Sequence, residues 1–142
     1  MPLVVDLKKG EKFIVGDTVI INDSHNRKFA NGGARLYIAG DAPVLREVDI
    51  LWEKDANTPA QKAYFLVQSM YLSRDAKRYA EPYLDLVAQI QKAAPDTASV
   101  FASIDELIKA GSYYKALREV KKVIKREQEL AANVQTERSD SN

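Results

Sequence analysis

The sequence predicts an α+β chain: a small five-stranded antiparallel β unit over residues 1–50, packed on a bundle of about four helices. Up to about residue 57 the apolar residues come in short β-prone runs broken by Gly, Asn and Asp, and from residue 58 they recur at helical spacing. The chain has 142 residues, enough for one domain or two close halves with a buried core. The expected organisation is a β unit at 1–57, a helical bundle at 58–131 and a disordered polar tail at 132–142.

Leu3, Val4 and Val5 open the first strand. Phe13-Ile14-Val15 and Val19-Ile20-Ile21 flank Gly16-Asp17, which suits a two-residue hairpin turn. Residues 22–33 (NDSHNRKFANGG) lack periodicity and read as a loop. Ala34 to Ile38 alternates and reads as a fourth strand, and Val44 to Val48 follows the Gly40–Pro43 turn as the last. So small a unit has exposed strand edges and is expected to lean on a neighbour, which makes self-association or a protein partner an expectation.

Thr58 is a suitable N-cap and Pro59 a suitable first helical residue. The first helix, to about Leu72, is apolar nearly all round and is expected to be the most buried element. A second spans roughly 75–93, where Pro82 should kink it or mark a later start. A third carries Val100, Phe101, Ile104, Leu107 and Ile108 and stops at Gly111; a fourth runs from near Ser112 to about Leu130.

Composition removes several chemistries. Lys and Arg number 21 against 20 Asp and Glu, so a nucleic-acid site can arise only from local clustering. There is no cysteine and a single histidine, His25, which excludes disulfides, thiolate centres and multi-histidine metal sites. No nucleophile elbow, Walker A or dinucleotide fingerprint occurs. Glu47, Asp49, Glu53 and Asp55 are close in sequence, but Arg46 and Lys54 intervene and no EF-hand spacing is present. The expectation is a non-enzymatic chain without metal or cofactor. Nothing resembles a signal peptide or a membrane span, so a cytoplasmic location is expected.

Two basic clusters stand out. On the fourth helix Lys115, Arg118, Lys122, Lys125 and Arg126 fall within one arc of about 100°. The loop and the strand after it carry His25, Arg27, Lys28 and Arg35, with Phe29 between. Cations interleaved with an aromatic suit single-stranded RNA, because guanidinium groups hold phosphates while rings stack on bases. Either set also reads as a solvated surface. Tyr113 and Tyr114 open the fourth helix about 100° apart, so at most one lies squarely in the core and the other is free to meet a partner.

The strings MPLVVDLKKGEKFIV, LREVDIL at 45–51, TPAQKAYFLVQSMYL at 58–72 and YYKAL at 113–117 resemble the FlbT family, over residues 1 to about 130. That resemblance implies a cytoplasmic post-transcriptional regulator of flagellin synthesis in alphaproteobacteria, acting on the 5′ untranslated region of flagellin mRNA to alter its translation or decay, as a repressor or an activator. It also implies cooperation with a FlaF-like regulator or contact with flagellin. Lys9-Gly10-Glu11, Ile14, Gly16-Asp17, Arg35 to Ile38, Ala42-Pro43 and Arg46-Glu47 further resemble the carbon storage regulator family of RNA-binding proteins. This implies RNA contact by Arg46 and residues 3–5. The loop at 22–33 is longer here and the segment from Pro43 to Arg46 shorter, so that family's intertwined dimer is not carried over.

Overall fold

The computed structural model describes residues 3–23 and 32–140, which form two compact units meeting in sequence at Ile50 and Leu51. In the first unit, β1 (Leu3–Leu7) pairs antiparallel with β4 (Ala34–Ile38). β2 (Lys12–Val15) pairs antiparallel with both β3 (Thr18–Ile21) and β5 (Val44–Arg46). The five strands thus divide into a two-stranded and a three-stranded sheet. Gly16-Asp17 is the two-residue turn, with Val15 opposite Thr18.

Val5 and Leu7 from β1 and Phe13 from β2 form a buried cluster, against which Val15, Ile20, Leu36, Ile38 and Val44 pack. The Asn22 side-chain amide donates to the carbonyls of Leu7, Lys8 and Gly32 at 3.2, 3.1 and 2.5 Å, and so clamps both ends of the segment between β3 and β4 to the end of β1. Gly32 has φ +65°, and a Cβ there would lie 2.9 Å from the Lys9 Cβ. Both the conformation and the space demand glycine.

β5 is shorter than the run to Val48 predicts. Glu47–Asp49 turns into a 3₁₀ segment, Val48 is exposed, and the Glu47 carboxylate accepts the Lys12 N–H at 3.1 Å. A side chain occupying that backbone donor replaces the next rung of the ladder.

In the second unit α1 (Pro59–Ser73) packs against α2 (Ala76–Ala93) and α4 (Tyr113–Asp140), and α3 (Ala98–Lys109) packs against α4. Thr58 caps α1 in a full capping box with Gln61, and Pro59 is at its first position. The Glu127 carboxylate accepts the Ala60 N–H at 3.2 Å, which sets an anion at the positive end of α1. Ala63, Tyr64, Val67 and Met70 are buried, and α1 carries more buried residues than α2 or α3. Phe65 and Leu66 are only half-buried, because they border a groove beside Pro82 and Leu86 of α2. Gln68 is also buried, and its side-chain amide exchanges two hydrogen bonds with the Leu51 backbone at 2.9 and 3.0 Å. The one buried polar side chain of α1 is satisfied in this way.

α2 starts at Ala76, six residues before Pro82, and runs on through it, so Pro82 marks no later start. Asp75 supplies the cap by accepting the Arg78 N–H at 3.4 Å. After α3, Gly111 at φ +75° carries a Schellman ending, with Gly111 N–H bonded to the Ile108 carbonyl and Ser112 N–H to the Leu107 carbonyl. α4 continues past Leu130 to Asp140. The polar composition from 132 onward reads as a tail, but it contains no Gly or Pro and enough Ala, Gln, Glu and Arg to sustain helix.

Candidate nucleic-acid interface

Alternation along β1 and β4 sets the outer face of their ladder. Val5, Leu7, Leu36 and Ile38 turn inward, leaving Val4, Asp6, Arg35 and Tyr37 outward, with Val4 opposite Tyr37 and Asp6 opposite Arg35. The Arg35 Nε–H donates to Asp6 Oδ1 at 2.8 Å. That hydrogen bond, and then the guanidinium charge, hold the Asp6 carboxyl below the usual carboxylate range. Arg46, exposed at the end of β5, lowers it further through its charge. Of the sequence-predicted cations, Arg35 is thus held in direct contact with Asp6, while Arg46 acts on that carboxylate only through its charge, as the smallest of the causes. His25, Arg27 and Lys28, with Phe29, lie outside the described residues.

The α4 cations belong to the second unit. Lys115, Arg118, Lys122, Lys125 and Arg126 are all exposed, as their common arc predicts. Several are engaged: Lys122 Nζ bridges Glu119 at 2.9 Å, Arg126 pairs with Asp96, and the Arg118 guanidinium lies 5.8 Å from the centre of the Tyr114 ring. The face is therefore less positive than its cations alone suggest. The two tyrosines separate as expected: Tyr113 is half-buried with its ring 6.5 Å from that of Tyr71 on α1, while Tyr114 is 43% exposed.

Sequence reasoning missed Asp6, which holds Arg35, and Tyr37, which is 68% exposed on the same face of the β1–β4 ladder. The alternation of β4 was the signal for Tyr37, since it places the ring on the face opposite Leu36 and Ile38. Among the described residues no cluster of acids and histidine has the arrangement of a metal site, and no helix is long and apolar enough to cross a membrane.

Comparison with known proteins adds the family. The family described as "Flagellar protein FlbT" matches residues 3–131. The chain belongs to the FlbT family. A relative from Rhodopseudomonas palustris (strain TIE-1), named "Probable flagellum biosynthesis repressor protein FlbT", is 41% identical over 130 residues, covering 92% of this chain and 98% of the relative. One from Bradyrhizobium diazoefficiens, named "Probable flagellum biosynthesis repressor protein FlbT 1", is 40% identical over 131 residues, covering 92% and 85%. One from Caulobacter vibrioides (strain ATCC 19089 / CIP 103742 / CB 15), named "Flagellum biosynthesis repressor protein FlbT", is 32% identical over 139 residues, covering 94% and 92%. No solved structure matches the FlbT-family chain.

Proposed function

We propose that this chain represses flagellar synthesis after transcription, in the cytoplasm, by binding the 5′ untranslated region of flagellin mRNA and altering its translation or decay. Membership of the FlbT family and the names of its relatives support the regulatory part. The observation that carries the RNA part is the exposed face of the β1–β4 ladder, where Asp6 orients Arg35, together with an exposed Arg46 at the end of β5. Arg35 is oriented by the carboxylate, and Arg46 offers a planar guanidinium for bidentate pairing with a phosphate or a guanine edge. The exposed cations of α4 add longer-range attraction without reading sequence.

Arg46→Lys is the sharp test, because it keeps the charge and removes the fork. We expect it to fold as wild type and to lose about 1–3 kcal/mol of discrimination between a flagellin leader RNA and a scrambled RNA. Equal discrimination in the variant, with a lowered melting temperature for Arg46→Ala, would make the residue structural. Neutralising Lys115 and Lys125 to Gln should weaken both RNAs alike and reduce the salt slope by about 0.7 for each phosphate that is no longer neutralised.

A second reading, a protein-interaction or chaperone-type factor acting on flagellin or a FlaF-like partner, draws on an apolar groove in the helical unit. Met70, Ala80, Tyr83, Leu84 and Ile108 line it between α2 and α3, with Lys77 and Lys109 beside them. Tyr83 is buried and its hydroxyl donates to Asp105 at 3.2 Å; burial foremost, then the Asp105 charge, pushes that hydroxyl far above its ordinary pKa. Leu84 is 58% exposed at the groove, the kind of surface an amphipathic helix covers. Co-purification of such a partner by a chain that binds no leader RNA would favour this reading.

A further inference from the structure

The helical unit ends before its longest helix does. α1 and α4 run antiparallel, with the Tyr71 ring 6.5 Å from that of Tyr113 at one end and the Ala60 N–H donating to the Glu127 carboxylate at the other. α4 then continues to Asp140, about 20 Å past Glu127. Its core-facing stripe continues with it. Ala116, Val120 and Val123 are buried, and Leu130 and Val134 lie on the same face within an arc of about 80°, yet they are 50% and 45% exposed. Leu130 borders an apolar cavity of about 390 Å³ whose other walls include Pro59, Ile90, Ala93 and Val123. Charge along the helix is divided as well. Residues 113–126 carry six Lys and Arg against Glu119, and residues 127–140 carry Glu127, Glu129, Glu137 and Asp140 against Arg138.

We propose that α4 is a homodimerisation helix: the projecting ends of two copies pack antiparallel, so that Leu130 and Val134 of each seat against the apolar wall at the end of the other's bundle. The occupant is a second copy because this helix is complementary to itself. A two-fold interface sets one surface against its own copy, so that surface must complement itself. In an antiparallel pair, a helix basic in its first half and acidic in its second meets opposite charge at both ends, whereas a parallel pair sets like on like. The pairs of Lys122 with Glu119 and Arg126 with Asp96 balance two of the six cations, and the first half stays basic even so. The dimer goes beyond the RNA reading and does not depend on it.

Sedimentation velocity of the full chain across the micromolar range reads the association directly. Wild type should form a dimer that weakens as salt rises. Leu130→Gln with Val134→Gln should raise the dissociation constant by about 100-fold or more, because four half-exposed side chains lose their cover in the dimer. Circular dichroism and melting of this variant should match wild type at a dilution where both are monomers, since neither residue is buried in the single chain. Lys122→Glu with Lys125→Glu is the second variant and tests direction. It should weaken an antiparallel dimer by about 10-fold and tighten a parallel one. A wild-type chain that stays monomeric throughout overturns the proposal. So does a dimer that the Gln pair leaves intact, which would place the contact elsewhere. A dimer unchanged or tightened by the charge reversal overturns it too, because the antiparallel arrangement would then be wrong.

Discussion

Phe13→Ala is expected to unfold the strand unit and leave the helices standing. Phe13 is fully buried at the centre of the cluster formed by β1 and β2, with residues of β3, β4 and β5 packed around it. Removing a buried phenylalanine ring costs ~3–5 kcal/mol. A unit of about 50 residues holds only ~2.5–7.5 kcal/mol at the usual stability per residue. The two quantities are comparable, so the variant sits at or beyond its threshold. The buried residues of the helical unit, among them Val67, Met70, Phe101, Ile104, Leu117 and Val120, do not include this ring. Hydrogen exchange should show rapid exchange at β1, β2 and β4 amides while the helical circular dichroism persists. Loss of both signals together at 25 °C would mean that the units fold as one.

Phe101→Ala should destabilise the helical unit by ~3–5 kcal/mol, read as a lower urea midpoint of the helix signal. Phe101 is fully buried on α3, the helix that packs chiefly on α4 and the 3₁₀ turn before it among the described elements. Phe65→Ala is the internal comparison. Its ring is half-buried on α1, so it should cost clearly less, whatever its place in an apolar run suggests. Equal losses in the two variants would show that Phe65 is covered in solution by something else.

The elements legible in the sequence are those whose signal is local. Thr58 and Pro59 announce the start of α1, Gly16-Asp17 the hairpin, Gly111 the end of α3, because caps and turns are set by the residues that form them. What was not legible depends on partners distant in sequence. Val48 continues an apolar period, yet β5 stops at Arg46 because Glu47 reaches across to the Lys12 N–H. Gln68 looks like a flaw in an apolar helix until Leu51 supplies both its bonds. The candidate site divides in the same way. Arg35 and Arg46 could each be named from residue type and resemblance. The pairing of Arg35 with Asp6 follows from a strand ladder between positions 29 apart in sequence, which no short window on the sequence contains.

The Asn22 amide separates the integrity of the β unit from the length of what it encloses. Its bonds to Leu7, Lys8 and Gly32 tie β3, β1 and the approach to β4 at one point, outside residues 24–31. His25, Arg27 and Lys28 lie in sequence between the residues that this amide ties together. Doubling the length of that stretch adds only about 0.6 kcal/mol of closure entropy, and the strands on either side keep their register. The residues that hold the strand register therefore lie outside that stretch, so its chemistry can change while the scaffold on either side stays the same.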